Sequence, residues 1–152
     1  MSQYYTRVFV AIDGSPMQEE VLEKAIRVAS TNHASIFIGH VVDTSGTDAT
    51  VINSDELIAS IKARMEANLK DILDTARNDE NIPETIFEIA AGPITDTMVE
   101  KFIKPFKPNL VICGERGFSS VKYMFVGSVS TYLIRAMNCD VLVVKKREGQ
   151  YA

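Results

Sequence analysis

This sequence of 152 residues predicts a doubly wound α/β fold built on a five-stranded parallel sheet with helices on both faces. Three observations carry the prediction. Five short runs rich in Val, Ile and Phe alternate with segments of helical period, and that alternation builds a parallel sheet. The runs are apolar along most of their length rather than at every second residue, as strands buried on both faces are. Glycines stand where several runs end, the end of the sheet at which such folds bind ligands.

The first run, Arg7 to Ile12, ends at Asp13-Gly14-Ser15-Pro16. Asp and Gly break a strand, Ser15 suits an N-cap, and Pro16 suits the first helical position. The helix that follows runs to about Thr31 on a stripe of Val21, Leu22, Ala25, Val28 and Ala29. A second strand spans residues 34–42. Residues 43–53, rich in Thr, Ser, Asp and Gly, read as a loop and a candidate cover for a site. Ser54 or Asp55 caps a long helix reaching about Arg77, in which Ile58, Ile61, Met65, Leu69, Ile72, Leu73 and Ala76 recur at three- and four-residue steps.

A turn at Asn78–Pro83 leads into a third strand, Thr85–Ala91, which Gly92-Pro93 ends. A helix from about Ile94 to Phe106 follows, its end bracketed by Pro105 and Pro108. The fourth strand, Leu110–Cys113, stops at Gly114. The last helix opens at Gly127-Ser128, with Val129, Leu133, Ala136 and Met137 at helical spacing, and Val141–Lys145 is the fifth strand. Right-handed crossovers give the order 3-2-1-4-5 if the chain reverses direction after the third strand. Strands one and four are then neighbours at the switch point, and Asp13 and Gly114 meet across one crevice.

Composition narrows the function classes. Hydrophobic content is 46% and charged content 24%, ordinary for a globular protein. The net charge of −4 argues against a duplex nucleic-acid binder and against a polybasic membrane contact. Cys113 and Cys139 show no CxxC spacing and lie beside apolar runs, so buried, reduced thiols are expected. No signal core and no membrane-length run is present, and a cytoplasmic protein is the reading. His40, inside an apolar strand, reads as a core histidine rather than a ligand, and His33 as a turn residue. No His–Cys–carboxylate spacing suggests a zinc site. No residue is assigned a catalytic role.

The chemistry is concentrated between Asn109 and Ser130, where a strand, a long glycine-spaced loop and a helix start follow one another. The first N–H groups of a helix lack intrahelical acceptors and carry partial positive charge. Glycine lets backbone approach a ligand closely. The two together suit a phosphate. Ser128 fits an N-cap equally well. The spacing Gly114-x2-Gly117-x9-Gly127-Ser128 resembles the nucleotide-binding signature of the universal stress protein (UspA) family, in its ATP-binding branch. Val8–Ser15, Gly39-His40-Val41-Val42, Ala91-Gly92-Pro93 and Val141–Lys145 extend the likeness over nearly the whole chain, read as one domain over residues 1–152.

The resemblance implies an adenine nucleotide alpha hydrolase-like fold and ATP bound in a defined pose. Asp13 and the backbone of Ala11 and Ile12 would face the adenosine. Val41 would offer backbone hydrogen bonds and an apolar wall to adenine, and Cys113 and Gly114 a floor. Arg116, Gly117, Gly127, Ser128, Val129 and Ser130 would surround ribose and phosphates. Mg or Mn would accompany the triphosphate, held mainly by phosphate oxygens and water. The implied role is a nucleotide-dependent regulatory or stress-response protein. Its alternatives are a slow, autophosphorylating ATPase at the same site and an interaction module that binds no nucleotide. The first finds little support, since neither GxxxxGK[ST] nor GxGxxG occurs. A homodimer through Val141–Lys145 is expected, because an apolar edge strand needs cover.

Overall fold

The structure, a computed structural model, describes residues 5–43, 55–115, 132–133 and 135–145. Five strands form one sheet: β1 (Arg7–Ala11), β2 (Ser35–Asp43), β3 (Thr85–Gly92), β4 (Leu110–Gly114) and β5 (Asp140–Val144). Their order is β3-β2-β1-β4-β5 and every neighbouring pair is parallel. The reversal after the third strand is therefore present, and β1 and β4 flank the switch point.

Side chains of successive strand residues point to opposite faces, and here both faces are covered. Val8, Val10, Ile12, Ile36 and Ile38 pack with Val21, Leu22 and Ala25 of α1 (Gln18–Asn32) and with Leu69 and Leu73. On the other face, Phe9, Phe37, Val41, Val111 and Cys113 pack with Met98, Phe102, Phe106 and Leu133. This double burial explains why the strands read as unbroken apolar runs. The edge strand β5 leaves Val141, Leu142 and Val143 half-buried, and the other edge, β3, leaves Ile86 and Ala90 half-buried.

Two helices depart from the sequence expectation. The single helix expected up to Arg77 is two, α2 (Asp55–Asn68) and α3 (Lys70–Arg77). Leu69 between them takes φ −108° and ψ 16°. Its N–H still bonds the Met65 carbonyl at 2.9 Å, and its carbonyl still accepts from Leu73 at 2.9 Å. The regular winding is interrupted at Leu69 while these two bonds persist, and Met65, Leu69, Leu73 and Ala76 are all buried. The helix expected over residues 94–106 is composite. α4 (Ile94–Thr97) passes into a π-helical stretch, Met98–Ile103, and then into α5 (Lys104–Phe106). Pro105 has no N–H to offer the turn before it, and there the winding widens. Met98, Phe102 and Phe106, four residues apart, all remain on the sheet face as a result.

Gly39 is required by this packing. A Cβ there would lie 2.8 Å from the Phe102 ring and 2.9 Å from that of Phe9. The bare backbone of β2 lets Phe9, Phe37, Phe102 and Phe106 close into one aromatic layer, with ring centroids 5.2 to 6.0 Å apart. Among the described residues, no helix is long and apolar enough to cross a membrane.

Candidate functional site

The switch point, where folds of this order open a crevice, lies at the carboxyl ends of β1 and β4. β1 stops pairing with β2 at Ala11↔Gly39, while β2 continues alongside β3 through Asp43↔Gly92. The Ile12 N–H still reaches the Gly39 carbonyl at 2.9 Å. Main-chain groups alternate sides along a strand. Val41 therefore directs its own N–H and C=O toward the β1 side, beyond the point where β1 ends. Its side chain is buried among the aromatic layer.

Asp13 follows at the tip of β1. Its Oδ1 accepts from the Ser15 N–H at 3.0 Å. Its Oδ2 is buried and has no hydrogen-bond partner among the described residues. Desolvation is the main cause that raises the Asp13 pKa above its ordinary value, opposed by the hydrogen bonds from Ser15. The His40 ring stands beside it, with Nδ1 2.8 Å from the Ile12 carbonyl oxygen. A carbonyl can only accept, so Nδ1 carries the proton. Burial lowers the His40 pKa and keeps the ring neutral.

The rest of the turn consumes its own donors. The Gly14 N–H bonds Gln18 Oε1 at 3.0 Å, and the Met17 N–H bonds Ser15 Oγ at 3.2 Å. The Gln18 N–H bonds the Ser15 carbonyl at 3.0 Å. Glu19 and Glu20 occupy the first turn of α1. Ser15 thus closes a turn ahead of the regular helix, which begins at Gln18 rather than Pro16. Glu19 and Glu20 make the start of α1 unfavourable for an anion. This wall presents a carboxylate acceptor, Asp13 Oδ2.

On that side Gly114 ends β4. A Cβ on it would lie 3.3 Å from Val21 Cγ2 and 3.7 Å from Met17 Sδ. The Glu115 N–H bonds the Val144 carbonyl at 3.0 Å. Cys113 is buried, and desolvation pushes its thiol up to about 12, so it acts as packing and not as a nucleophile. Ala11, Ile12, Asp13, Val41, Cys113 and Gly114 therefore gather at one end of the sheet. Arg116, Gly117, Gly127, Ser128, Val129 and Ser130 lie outside the described residues. Sequence reasoning missed Met17 and Gln18, which carry no spacing signal; it read His40 as a satisfied core histidine, and the Ile12 carbonyl is what satisfies it. The adjacency of His40 to Gly39 and Val41 was the only cue available.

The raised Asp13 pKa has a consequence for stability. The folded state favours the protonated acid, so the contribution of Asp13 is fully favourable below its unfolded value. It is lost as pH rises through the raised folded value, leaving a penalty at neutral pH. Asp13→Asn keeps an acceptor for Ser15 and removes the buried charge. It should raise the thermal midpoint of the ligand-free protein at pH 7 by a few degrees. That gain should shrink as pH falls toward 3.8, the ordinary value of the carboxyl group. Thermal melts across pH check this; a variant less stable than the parent at pH 7 contradicts it.

The strand order defines a flavodoxin-like, doubly wound α/β protein whose switch point lies between β1 and β4. The universal stress protein family model matches residues 4–145, and the chain belongs to that family. A Staphylococcus haemolyticus protein named for the same family is 29% identical over 145 residues, covering 95% of this chain and 87% of the relative. The universal stress protein UspA from Lactobacillus plantarum superposes with a TM-score of 0.77 at 22% identity, over 95% of this chain and 99% of that one. A universal stress protein solved in complex with cAMP has a TM-score of 0.65 at 23% identity, covering 93% and 97% of the two chains.

Proposed function

We propose that this protein binds ATP in the β1/β4 crevice and acts as a nucleotide-dependent regulatory protein of the stress response. The observation that carries the reading is Asp13 Oδ2, a buried acceptor with no partner among the described residues. An unsatisfied buried acceptor costs roughly 1–3 kcal/mol, and a ligand hydroxyl or amino group relieves that cost. Adenosine supplies such donors on its ribose and its base; a phosphate does not. Val41 main-chain groups stand where adenine is expected, with Ala11 and Ile12 beside them and Cys113 and Gly114 below. Arg116, Gly117, Gly127, Ser128, Val129 and Ser130 take the ribose and phosphates in this reading. The structural neighbour bound to cAMP supports an adenine nucleotide as the ligand class. Magnesium or manganese enters with the triphosphate, on phosphate oxygens and water.

Nucleotide content tests this first. Freshly purified protein is denatured and the released small molecules are separated by chromatography, and stripped protein is then melted with a panel of nucleotides. Adenine nucleotides should raise the midpoint and guanine nucleotides should not. Equal shifts for both, or none at millimolar concentration, overturn the reading.

The protein pairs, in the same proposal, through β5. Val141, Leu142 and Val143 are half-buried on a sheet edge, and an uncovered apolar edge invites a second strand. Combined Val141→Lys and Val143→Lys substitutions should yield monomers by sedimentation. A dimer of unchanged strength in that variant rules out this edge as the interface.

A further inference from the structure

We infer that His40 is a positioning residue for the nucleotide site: its imidazole fixes the Ile12–Asp13 peptide so that Asp13 faces the crevice. The inference rests on the nucleotide reading above and adds a residue which that reading leaves idle.

The geometry is local and complete. The Ile12 N–H is held by the Gly39 carbonyl at 2.9 Å. The Ile12 C=O lies beyond the last β1–β2 pair, and His40 Nδ1 takes it at 2.8 Å. His40 thus replaces the ladder bond that β1 loses where it ends. Both polar groups of Ile12 are then tied toward β2. In a trans peptide the next N–H points the opposite way, so the Asp13 N–H turns away from β2, and it is among the donors that act on the Asp13 carboxylate. The carboxylate leaves from the same residue, with Oδ1 pinned by Ser15 at 3.0 Å and Oδ2 unpaired among the described residues. An amide donor and a carboxylate acceptor are held side by side at the mouth of the crevice.

Gly14 explains why this anchor is an imidazole lying beside the turn. Its φ of +81° lets the chain turn directly after Asp13, and the position of a Cβ there would sit 3.9 Å from His40 Cε1. The ring therefore packs beneath the turn while its Nδ1 reaches up to Ile12. Desolvation keeps it neutral, and Asp13 is the charged group that bears on it. A neutral ring donates through Nδ1 without neutralising Asp13, which stays free to accept from a ligand.

Asn and His place a donor nitrogen at a similar distance from Cβ; Leu retains bulk and loses the donor. ATP with magnesium is titrated calorimetrically into the parent, His40→Asn and His40→Leu, with thermal melts on each. His40→Leu should bind about tenfold more weakly and His40→Asn within about threefold of the parent. Equal affinities in all three, or equal losses in both variants, overturn the inference. Imidazole nitrogen shifts of the parent supply a readout independent of folding in the variants. The Nδ1–H tautomer is expected, and the Nε2–H tautomer overturns the inference. Should the parent bind no ATP, the nucleotide reading falls. The positioning of Asp13 is then decided by the tautomer and by the Asp13 amide resonance, which should hold its place in His40→Asn and move in His40→Leu.

Discussion

Gly92→Ala is expected to lower the unfolding free energy by roughly 3 kcal/mol or more. Two independent effects add at this residue. The backbone at Gly92 has φ +150°, a region in which a side chain costs on the order of 1–3 kcal/mol. A Cβ there would also collide with Thr97 Oγ1, and Thr97 is itself buried. Thr97 sits at the end of α4, where the chain leaves β3 and begins the segment that covers the aromatic layer. Relief requires Thr97 to leave its rotamer or its segment to shift. Urea unfolding followed by circular dichroism measures the loss. The double variant Gly92→Ala with Thr97→Ala should recover the steric part and keep the backbone part, so the two changes should be non-additive. A Gly92→Ala protein within about 1 kcal/mol of the parent would show that neither constraint holds.

Asp13→Asn should weaken ATP by roughly ten- to a hundredfold, the range expected for one hydrogen bond to a charged group. The asparagine retains an acceptor for the Ser15 N–H, so the turn is preserved. Its amide nitrogen replaces the buried Oδ2 and can no longer accept from a ligand. Affinity should therefore fall in the same variant whose ligand-free form is more stable than the parent at neutral pH. Opposite signs in the two measurements separate a binding group from a folding group. Calorimetry with magnesium–ATP and thermal melts on the same preparation provide both. A variant that binds as tightly as the parent removes Asp13 from the site.

Much of this fold could be read from periodicity. Ile36 to Ile38 and Val111 to Cys113 are apolar at consecutive positions because helices cover both faces of the sheet. Where tertiary packing decides, the reading failed. Nothing in the residues around Leu69 marks an interruption, since Lys70 to Arg77 continues the same helical period. The structure nevertheless starts a new helix there, with Leu73 and Ala76 buried. Pro105 was visible as a helix breaker, but its effect is a widened turn ahead of it, which no local pattern announces. The site divides in the same way. Asp13 and Gly114 were legible because strand ends and glycines mark them. His40 was not, because a histidine in an apolar strand looks alike whether it packs passively or holds a carbonyl of the neighbouring strand. Gln18, which closes the Gly14 amide, acts through a turn geometry that spacing does not encode.

The claim that joins these observations is that adenine nucleotide binds between the ends of β1 and β4. Amide chemical-shift mapping of the labelled protein during titration with magnesium–ATP tests it most directly. Saturable shifts should centre on residues 11–14, 40–42 and 113–117 and on the Gly127–Ser130 stretch, and leave the far end of the sheet around Arg7 and Asn109 unmoved. Saturable shifts confined to another surface, or none at millimolar ATP, would contradict the account.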